Sequence, residues 1–318
     1  MKRILFNLKI WILFSLVFPS GNLLAQTDTL SFLHITDLHI IFNQNGYHPD
    51  LMEQRKQKQY DQGEPRLRQF LSTIPRKTNS NMVLATGDLC DFFEASTKDG
   101  QLLDLQVEQF TQLLNDYNIP VLLTLGNHDA FSYNWHDGKL FPNQNFAGRA
   151  RAAWIRNNSC FSEGTYYRKI FQVGETTYRL IFLDDIFFSF KDNETTEIPY
   201  MDRYQMYWLR DQLDESKEDI EIILMHIPFK NIPKQEEKPT ELYSMLAANK
   251  SVKLILAGHF HKNSVDMIRS KENSQIVQVQ TNAFASGIDN WRQINLTEDR
   301  IFVSFPGKIE YEVIIPIK

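Results

Sequence analysis

The sequence has few cysteines, and it lacks repeats and low-complexity tracts. Two cysteines, Cys90 and Cys160, stand in 318 residues. In an exported protein these two could pair, and two small buried thiols are the alternative. The chain contains no heptad run, internal repeat or biased tract, so a fibrous or solenoid architecture is not expected. Its length permits a substantial buried core, and no change in composition marks a second domain.

Long apolar runs are also absent, and the first 25 residues have the layout of a secretory signal peptide. Basic residues precede an apolar run over residues 10–18, and small and polar residues follow it. The run is too short for a comfortable bilayer span, and no cysteine follows it for lipid attachment. We expect cleavage after Ala25 and a single mature domain, residues 26–318, that is periplasmic or secreted. Leu23 is a poor residue three places before that cut, so an uncleaved membrane anchor is the alternative.

Positive charge is scarce as well. The whole chain has a net charge of -5. Removal of residues 1–25 takes away three basic residues and no acidic ones, which leaves 31 basic against 39 acidic residues and a net charge of -8. No lysine-rich stripe is evident. An acidic protein gains no general electrostatic attraction to phosphate backbones, so we do not expect a nucleic-acid partner.

Apolar patterns predict an α/β protein with mixed sheets. Short runs rich in leucine and β-branched residues predict buried strands at residues 31–36, 82–86, 121–125, 221–225 and 252–257. Apolar residues at steps of three and four predict helices at residues 66–74, 102–118, 201–215 and 240–249. Their alternation favours a layered α/β sheet. Hairpin-like strands around residues 165–184 and a β-rich region at 276–317 predict that the sheets are mixed.

Residues 43–65 are polar and carry few apolar side chains. This composition is typical of a long surface loop with some helical content. The segment directly follows the first polar cluster described below, so it is placed to overhang a site there.

Each of the five predicted strands is followed by residues of types that can bind metals. The clusters are Asp37-Leu38-His39, Gly87-Asp88-Leu89-Cys90-Asp91, Gly126-Asn127-His128-Asp129, His226 and Gly258-His259-Phe260-His261. Ligands of open α/β sheets bind beyond the carboxyl ends of the strands. Because residues i and i+2 of an extended segment point the same way, we expect each Asp-x-His or His-x-His pair to share a direction. Gly258 would let the backbone turn tightly beside its two histidines.

The ligand types indicate two divalent cations. Asp, Asn and His suit Mn²⁺, Fe²⁺ or Zn²⁺, and histidine argues against a pure Ca²⁺ or Mg²⁺ cage. Four histidines with two or three carboxylates are too many for one tetrahedral site, but they fit two metals that share a carboxylate. Three further histidines have simpler explanations: His34 as a core residue, and His48 and His136 as solvated loop residues.

The five clusters, in this order, resemble the motif series of the calcineurin-like metallophosphoesterases. A lone Asp-x-His is a weak signal, whereas all five motifs after strand-like runs are a strong one. The resemblance implies two packed mixed β-sheets flanked by helices, a four-layer sandwich. It assigns the first metal to Asp37, His39 and His261, the second metal to Asn127, His226 and His259, and the bridging position to Asp88. It also implies that His128 stands next to the substrate, that Asp91 orients a ligand or a backbone group, and that Asp129 steadies His128.

The resemblance implies an exported dinuclear-metal phosphoesterase that attacks small phosphodiesters or phosphomonoesters with a metal-bridging hydroxide. Asp91 stands where the purple acid phosphatases carry a tyrosine, so the chain is more similar to the phosphodiesterase branch. A nuclease of the same superfamily is one alternative, which the acidic net charge disfavours. A metal-binding protein without turnover is another, which His128 disfavours because a structural metal site does not need that histidine.

Overall fold

The computed structural model describes residues 28–143, 147–186, 199–229, 240–269 and 275–317, so the predicted signal peptide lies outside the described residues. Strands and helices are numbered along the chain. The first sheet has the order β16-β15-β14-β1-β2-β5. Its strands are β1 (Leu30–Ile35), β2 (Met82–Thr86), β5 (Val121–Thr124), β14 (Arg292–Leu296), β15 (Arg300–Ser304) and β16 (Tyr311–Pro316). The strands β1, β2 and β5 are parallel, and β14 pairs antiparallel with β1.

The second sheet has the order β12-β13-β11-β10-β9-β8. Its strands are β8 (Tyr167–Val173), β9 (Thr176–Phe182), β10 (Ile220–Leu224), β11 (Val252–Ala257), β12 (Ser264–Arg269) and β13 (Gln275–Gln280). Four of them are parallel, while β8 and β12 run antiparallel at the two edges. Both large sheets are therefore mixed, which confirms the predicted fold class.

Six helices and a third, smaller sheet complete the described fold. The helices are α1 (Pro49–Gln57), α2 (Gly63–Lys77), α3 (Gln106–Asn115), α4 (Ala147–Asn157), α5 (Arg203–Glu215) and α6 (Glu241–Ala248). The third sheet has the order β4-β3-β6-β7 and comprises β3 (Glu94–Ser96), β4 (Leu102–Leu103), β6 (Ser132–His136) and β7 (Lys139–Asn143). None of the helices in these ranges has the length and apolar character that crossing a membrane requires.

The central strands of the second sheet bury both faces. In β10, Ile222 and Leu224 join the large apolar cluster that also contains residues of the first sheet. Ile223 lies between them in sequence and joins a second cluster with Leu209 of α5 and Leu246 of α6. Alternate side chains of a strand point to opposite faces, so a strand between two apolar layers carries apolar side chains at successive positions. This is why the five runs could be recognised in the sequence.

Three parts of the fold differ from the sequence-based expectation. The predicted helix at residues 102–118 is shorter, because β4 occupies its first two residues and α3 covers only Gln106–Asn115. The third sheet was not predicted, since strands of two to five residues are too short to show a clear alternation of apolar and polar side chains. Residues 43–65 are largely helical, and Leu51, Arg55 and Tyr60 are buried there. Cys90 and Cys160 are both free thiols, so the pairing considered above is not present.

Candidate metal centre

The predicted ligands come together at the carboxyl ends of the parallel strands of the two large sheets. Three clusters follow β1, β2 and β5 of the first sheet, and two follow β10 and β11 of the second. The two sheets bury a common apolar cluster between them. Parallel strands end at the same edge, so the packing of the sheets brings together residues that are up to 222 positions apart in sequence.

The backbone at five ligand positions is left-handed and not extended. The φ angles are 51° at Asp37, 45° at His39, 50° at Asp88, 71° at His259 and 49° at His261. The prediction that each pair shares a direction because its segment is extended is therefore wrong. Asp37 and His39 lie in one ligand cluster, whereas His259 and His261 lie in two clusters that share Asp88. Each left-handed residue costs on the order of 1 to 2 kcal/mol. Hydrogen bonds between the loops help to hold them, such as the 2.9 Å bond that His39 N donates to the Asp88 carbonyl.

The first ligand cluster consists of Asp37, His39, Asp88 and His261, whose ligand atoms all lie within 4.8 Å of one another. His261 Nε2 is 3.2 Å from Asp37 Oδ1 and also 3.2 Å from His39 Nε2. His39 Nε2 lies 3.7 Å from Asp88 Oδ2. Apart from His261, which is partly exposed, these side chains are buried.

The second ligand cluster contains Asp88, His226 and His259, together with Asn127. The Oδ1 atom of Asn127 is 3.1 Å from both His226 Nε2 and His259 Nδ1. His226 Nε2 lies 3.3 Å from Asp88 Oδ2. Asp88 thus belongs to both clusters, which is the position that a bridging carboxylate requires.

The chemistry of these two clusters fits two divalent cations. Each combines carboxylate oxygen with imidazole nitrogen, and the second adds an amide oxygen, a set suited to Mn²⁺, Fe²⁺ or Zn²⁺. His226 Nδ1 faces the Thr86 carbonyl at 2.8 Å. A proton on Nδ1 would satisfy that carbonyl and leave the lone pair of Nε2 for a cation, as metal-binding histidines are commonly arranged.

Two side chains that were not predicted from the sequence hold the ligands in place. They are the carboxylate of Asp185 and the hydroxyl of Thr36. Asp185 accepts hydrogen bonds from the backbone N–H groups of His226 and Ile227, at 2.9 and 2.7 Å. Thr36 Oγ1 is 2.9 Å from both Asp37 Oδ2 and the Thr86 carbonyl. Asp185 follows the apolar strand β9, so the signal that identified the other clusters, a carboxylate just after a buried strand, applies to it as well.

His128 lies beside the shared carboxylate. Its backbone N–H donates to Asp88 Oδ1 at 2.8 Å, and its ring Nδ1 lies 2.7 Å from the Asp91 carbonyl. Burial acts to lower the pKa of His128, but the charges of Asp88 and Asp91 outweigh it and raise the pKa to about 9. In the protein without cations, the ring is therefore charged at neutral pH.

The Asp91 carboxylate contacts three side chains of the site. Its Oδ1 is 3.2 Å from His39 Nδ1 and 3.5 Å from His128 Nδ1, while Arg55 Nε donates to Oδ2 at 2.5 Å. Burial acts to raise the pKa of Asp91, but the Arg55 charge and the two histidines outweigh it and hold the pKa far below its usual range. Asp91 therefore stays ionised, and Arg55 is a third residue that the sequence did not indicate.

Asp129 has different contacts from those expected. Its carboxylate accepts hydrogen bonds from the backbone N–H groups of Gly126, Leu89 and Cys90, at 2.8, 3.1 and 2.9 Å. It thus joins the loop after β2 to the loop after β5. Any effect that Asp129 has on His128 passes through the backbone of these loops.

Gly258 is required for close packing and not for a left-handed turn. A Cβ atom at this position would clash with Thr36 Oγ1 and with the Asp37 carboxylate. Gly126 is similarly constrained, because a Cβ there would clash with the backbone N–H and the carboxylate of Asp88. The absence of a side chain lets the loops of different strands approach within the distances that the clusters need.

The three remaining histidines lie outside both clusters. His34 is buried between two threonines, with Nε2 2.8 Å from Thr86 Oγ1 and Nδ1 2.9 Å from Thr281 Oγ1. His136 is exposed at the end of β6. His48 caps α1 and stacks on Trp135 with the ring centroids 4.3 Å apart, so it is less solvated than expected.

Two mixed sheets that hold paired ligand clusters at one edge define a metallophosphoesterase fold. The chain belongs to the calcineurin-like phosphoesterase family, whose sequence model matches residues 30–263. The predicted family membership is thereby confirmed. Members of this family generally hydrolyse phosphoester bonds with dinuclear divalent metal centres, and the two clusters of this chain are candidate ligands for such a centre.

Solved structures give the same fold at low sequence identity. A dimetal phosphatase from Danio rerio is 15% identical, with a TM-score of 0.59, over 91% of this chain and 99% of that one. GAP50, the anchor in the inner membrane complex of Plasmodium, is 13% identical, with a TM-score of 0.55, over 92% of this chain and 90% of that one. No curated protein matches the sequence significantly. At these identities the likeness shows the fold alone.

Proposed function

We propose that this protein is an exported phosphoesterase that hydrolyses small phosphodiesters or phosphomonoesters at a dinuclear metal centre. One observation carries the proposal: Asp88 belongs to both ligand clusters, and the His128 backbone donates to its carboxylate at 2.8 Å. A bridging carboxylate beside a histidine that can carry a proton is the arrangement that hydrolysis of a phosphoester needs.

Asp37, His39 and His261 would hold one cation, Asn127, His226 and His259 the other, and Asp88 would contact both. Two cations bound there supply Lewis acidity, which lowers the pKa of water and neutralises phosphoryl charge. The side chains supply the rest of the chemistry. The charge of Asp91, which is not among the assigned ligands, favours the protonated form of His128. A charged His128 ring attracts the anionic phosphoryl group and can donate a proton to the departing oxygen.

Hydrolysis assays on matched variants test this function. The protein from residue 26 onward, with Mn²⁺ added, is assayed against bis-p-nitrophenyl phosphate and p-nitrophenyl phosphate. Asp88→Asn is expected to abolish turnover, and His128→Ala to reduce kcat by about 10²- to 10⁴-fold. His136→Ala, which changes an exposed histidine, serves as the control. Turnover by Asp88→Asn and His128→Ala at the wild-type rate would refute the proposal.

The same assay separates the alternatives. Faster cleavage of the diester supports a phosphodiesterase, and faster cleavage of the monoester supports a phosphatase. A protein that binds two Mn²⁺ ions but cleaves neither substrate would favour a binding role without turnover. The likeness to GAP50, described as an anchor, makes that role a real candidate for this fold. Salt-dependent cleavage of single-stranded DNA would favour the nuclease alternative instead.

Export is the second part of the proposal and depends on residues 1–25. The basic start, the apolar run over residues 10–18 and the polar residues that follow support it. Mass spectrometry of the protein recovered from cells gives the mature N-terminus. A mass that begins at Gln26 is expected, whereas an intact chain in the membrane fraction would favour the uncleaved anchor.

A further inference from the structure

A segment that no family motif includes reaches into the first ligand cluster. This segment, residues 49–62 and hereafter the arm, consists of α1 and a short 3-10 helix. Two of its side chains, Arg55 and Tyr60, are buried against the cluster, at 5% and 7% exposure. A charged side chain is rarely buried without a specific partner, so the position of Arg55 requires an explanation.

Arg55 acts on His39 through one intermediate side chain. Its Nε donates to Asp91 Oδ2 at 2.5 Å, and the other oxygen of Asp91 lies 3.2 Å from His39 Nδ1. His39 Nε2, on the opposite side of the ring, points to the atoms of the first cluster. Arg55 therefore fixes the carboxylate that faces the rear nitrogen of a ligand. The 3.2 Å separation is a close contact without hydrogen-bond geometry in this structure, and a carboxylate behind a metal-binding imidazole influences its tautomer and orientation.

Tyr60 acts on the same imidazole from its face. The Tyr60 and His39 rings are parallel within 3° and their centroids are 4.2 Å apart. The His128 and His39 rings are nearly perpendicular, at 88°, with their centroids 4.6 Å apart. The arm thus acts on His39 at two places, directly at the ring face through Tyr60 and indirectly at the rear nitrogen through the Asp91 carboxylate that Arg55 holds.

The arm has its own anchorage. Leu51 and Tyr60 pack in a small apolar cluster with Phe92 and Tyr133, next to the third sheet. The Arg55 guanidinium also lies 4.9 Å from the centre of the Tyr133 ring, a cation–π distance. The arm is therefore a fixed part of the fold that holds Arg55 and Tyr60 in place.

The second ligand cluster is held by other parts of the chain. The rear nitrogen of His226 faces the Thr86 carbonyl at the end of β2, and its backbone N–H donates to Asp185 after β9. His259 is tied by its backbone N–H to Asp37, at 3.0 Å. Within the described ranges, no hydrogen bond, ion pair or ring contact joins the arm to His226 or His259.

We propose that Arg55 and Tyr60 are positioning residues that control the cation affinity of the first cluster through His39, and that the second cluster does not depend on them. This inference rests on the proposed function only in requiring that the two clusters bind cations. The arm thereby makes the two halves of the centre unequal, since a change in the arm alters one cation site and spares the other.

Calorimetric titration with Mn²⁺ tests this asymmetry on the protein from residue 26 onward. Arg55→Met is expected to weaken binding of one of the two ions by about 10- to 100-fold. Lys56→Met, which removes an exposed positive charge from the same helix, is the matched control. Tyr60→Leu is expected to weaken binding of the same ion by about 2- to 10-fold. Tyr60→Phe, which keeps the stacked ring, should retain the wild-type affinity.

Variants that lack a ligand in one of the two clusters show which cluster loses Mn²⁺ affinity. In His259→Ala, where the second cluster lacks a ligand, Arg55→Met should weaken the remaining ion. In His261→Ala, where the first cluster lacks a ligand, Arg55→Met should leave the affinity for the remaining Mn²⁺ ion unchanged. An equal loss in both backgrounds, or no loss in either, would overturn the inference while leaving the proposed function intact. If Arg55→Met does not fold, Tyr60→Leu against Tyr60→Phe makes the same comparison. A wild-type protein that binds no Mn²⁺ would refute the dinuclear centre itself.

Discussion

The Asp185 carboxylate holds the backbone of His226, through a hydrogen bond of 2.9 Å from the His226 N–H to Oδ1. Its second oxygen accepts from the next residue, Ile227. Both acceptors are buried, and they fix the point where the chain leaves β10 and enters the metal centre. Asp185 is thus a support for a predicted ligand, although it belongs to none of the five motifs.

Replacement of Asp185 by alanine should weaken the second cluster. The variant leaves two buried backbone N–H groups without their acceptor, at a cost of about 1 to 3 kcal/mol each. Supporting changes of this kind lower metal affinity by about 10- to 100-fold. Thermal unfolding and Mn²⁺ titration measure the two effects.

Asp184→Asn is the control, because this neighbouring buried carboxylate binds Arg151 and Thr165 instead. It should lower stability without affecting Mn²⁺ binding, and a loss of Mn²⁺ affinity in both variants would contradict the role of Asp185.

Gly258→Ala should disrupt the centre through steric overlap. The added methyl group would meet Thr36 Oγ1 and the Asp37 carboxylate, and overpacking of this kind costs about 1 to 3 kcal/mol or more. We expect a lower melting temperature and loss of the first cation. Gly148→Ala is the contrast, since its methyl group meets nothing within 4 Å in α4. Alanine there should be neutral or stabilising by up to about 1 kcal/mol. Normal Mn²⁺ binding by Gly258→Ala would refute the packing argument.

Glu221 should make the protein less stable as the pH rises. Burial raises the pKa of Glu221 from 4.5 to about 7, so the folded state binds its proton more tightly than the unfolded chain does. Its contribution to stability is present below pH 4.5 and is lost as the pH rises through about 7. The loss is on the order of 3 kcal/mol. Chemical unfolding at a series of pH values gives the free energy of unfolding as a function of pH. This free energy should fall less with rising pH in Glu221→Gln than in the wild type, and the exposed Glu218→Gln should behave as the wild type. The same dependence of the unfolding free energy on pH in Glu221→Gln and in the wild type would contradict the raised pKa of Glu221.

His34 should remain neutral in mildly acidic solution. Burial, with a further contribution from the charge of Arg292, lowers the pKa of His34 from 6.5 to about 3. The folded pKa is depressed, so the stability that His34 contributes is present above pH 6.5 and is lost as the pH falls toward 3. NMR spectra should show its ring signals unchanged between about pH 8 and about pH 5, with His34→Gln used to assign them. A titration midpoint near 6.5 would show that the ring is solvated.

Much of the fold was predictable because the relevant strands are buried on both faces. The runs around β1, β2, β5, β10 and β11 are mostly apolar, and each ends in polar residues whose chemistry is recognisable without a structure. The short strands of the third sheet and the helix α1 gave no such signal. In α1 the buried positions include an arginine, so the apolar pattern that predicts a helix is incomplete there.

The order of the amino acids is sufficient to establish which residue types stand at the strand ends, the alternation of strands and helices, and membership of a family of metal-dependent phosphoesterases. These features depend on composition and order, and they can be recognised from segments of the chain that are close in sequence. The tertiary structure alone decided how the ligands are aimed, because five of them have left-handed backbones that only contacts between distant loops can stabilise. It also decided which side chains support them. Arg55 and Tyr60 reach the centre from the arm and Asp185 from the end of β9, and no local pattern in the sequence specifies the contacts of the two arm residues.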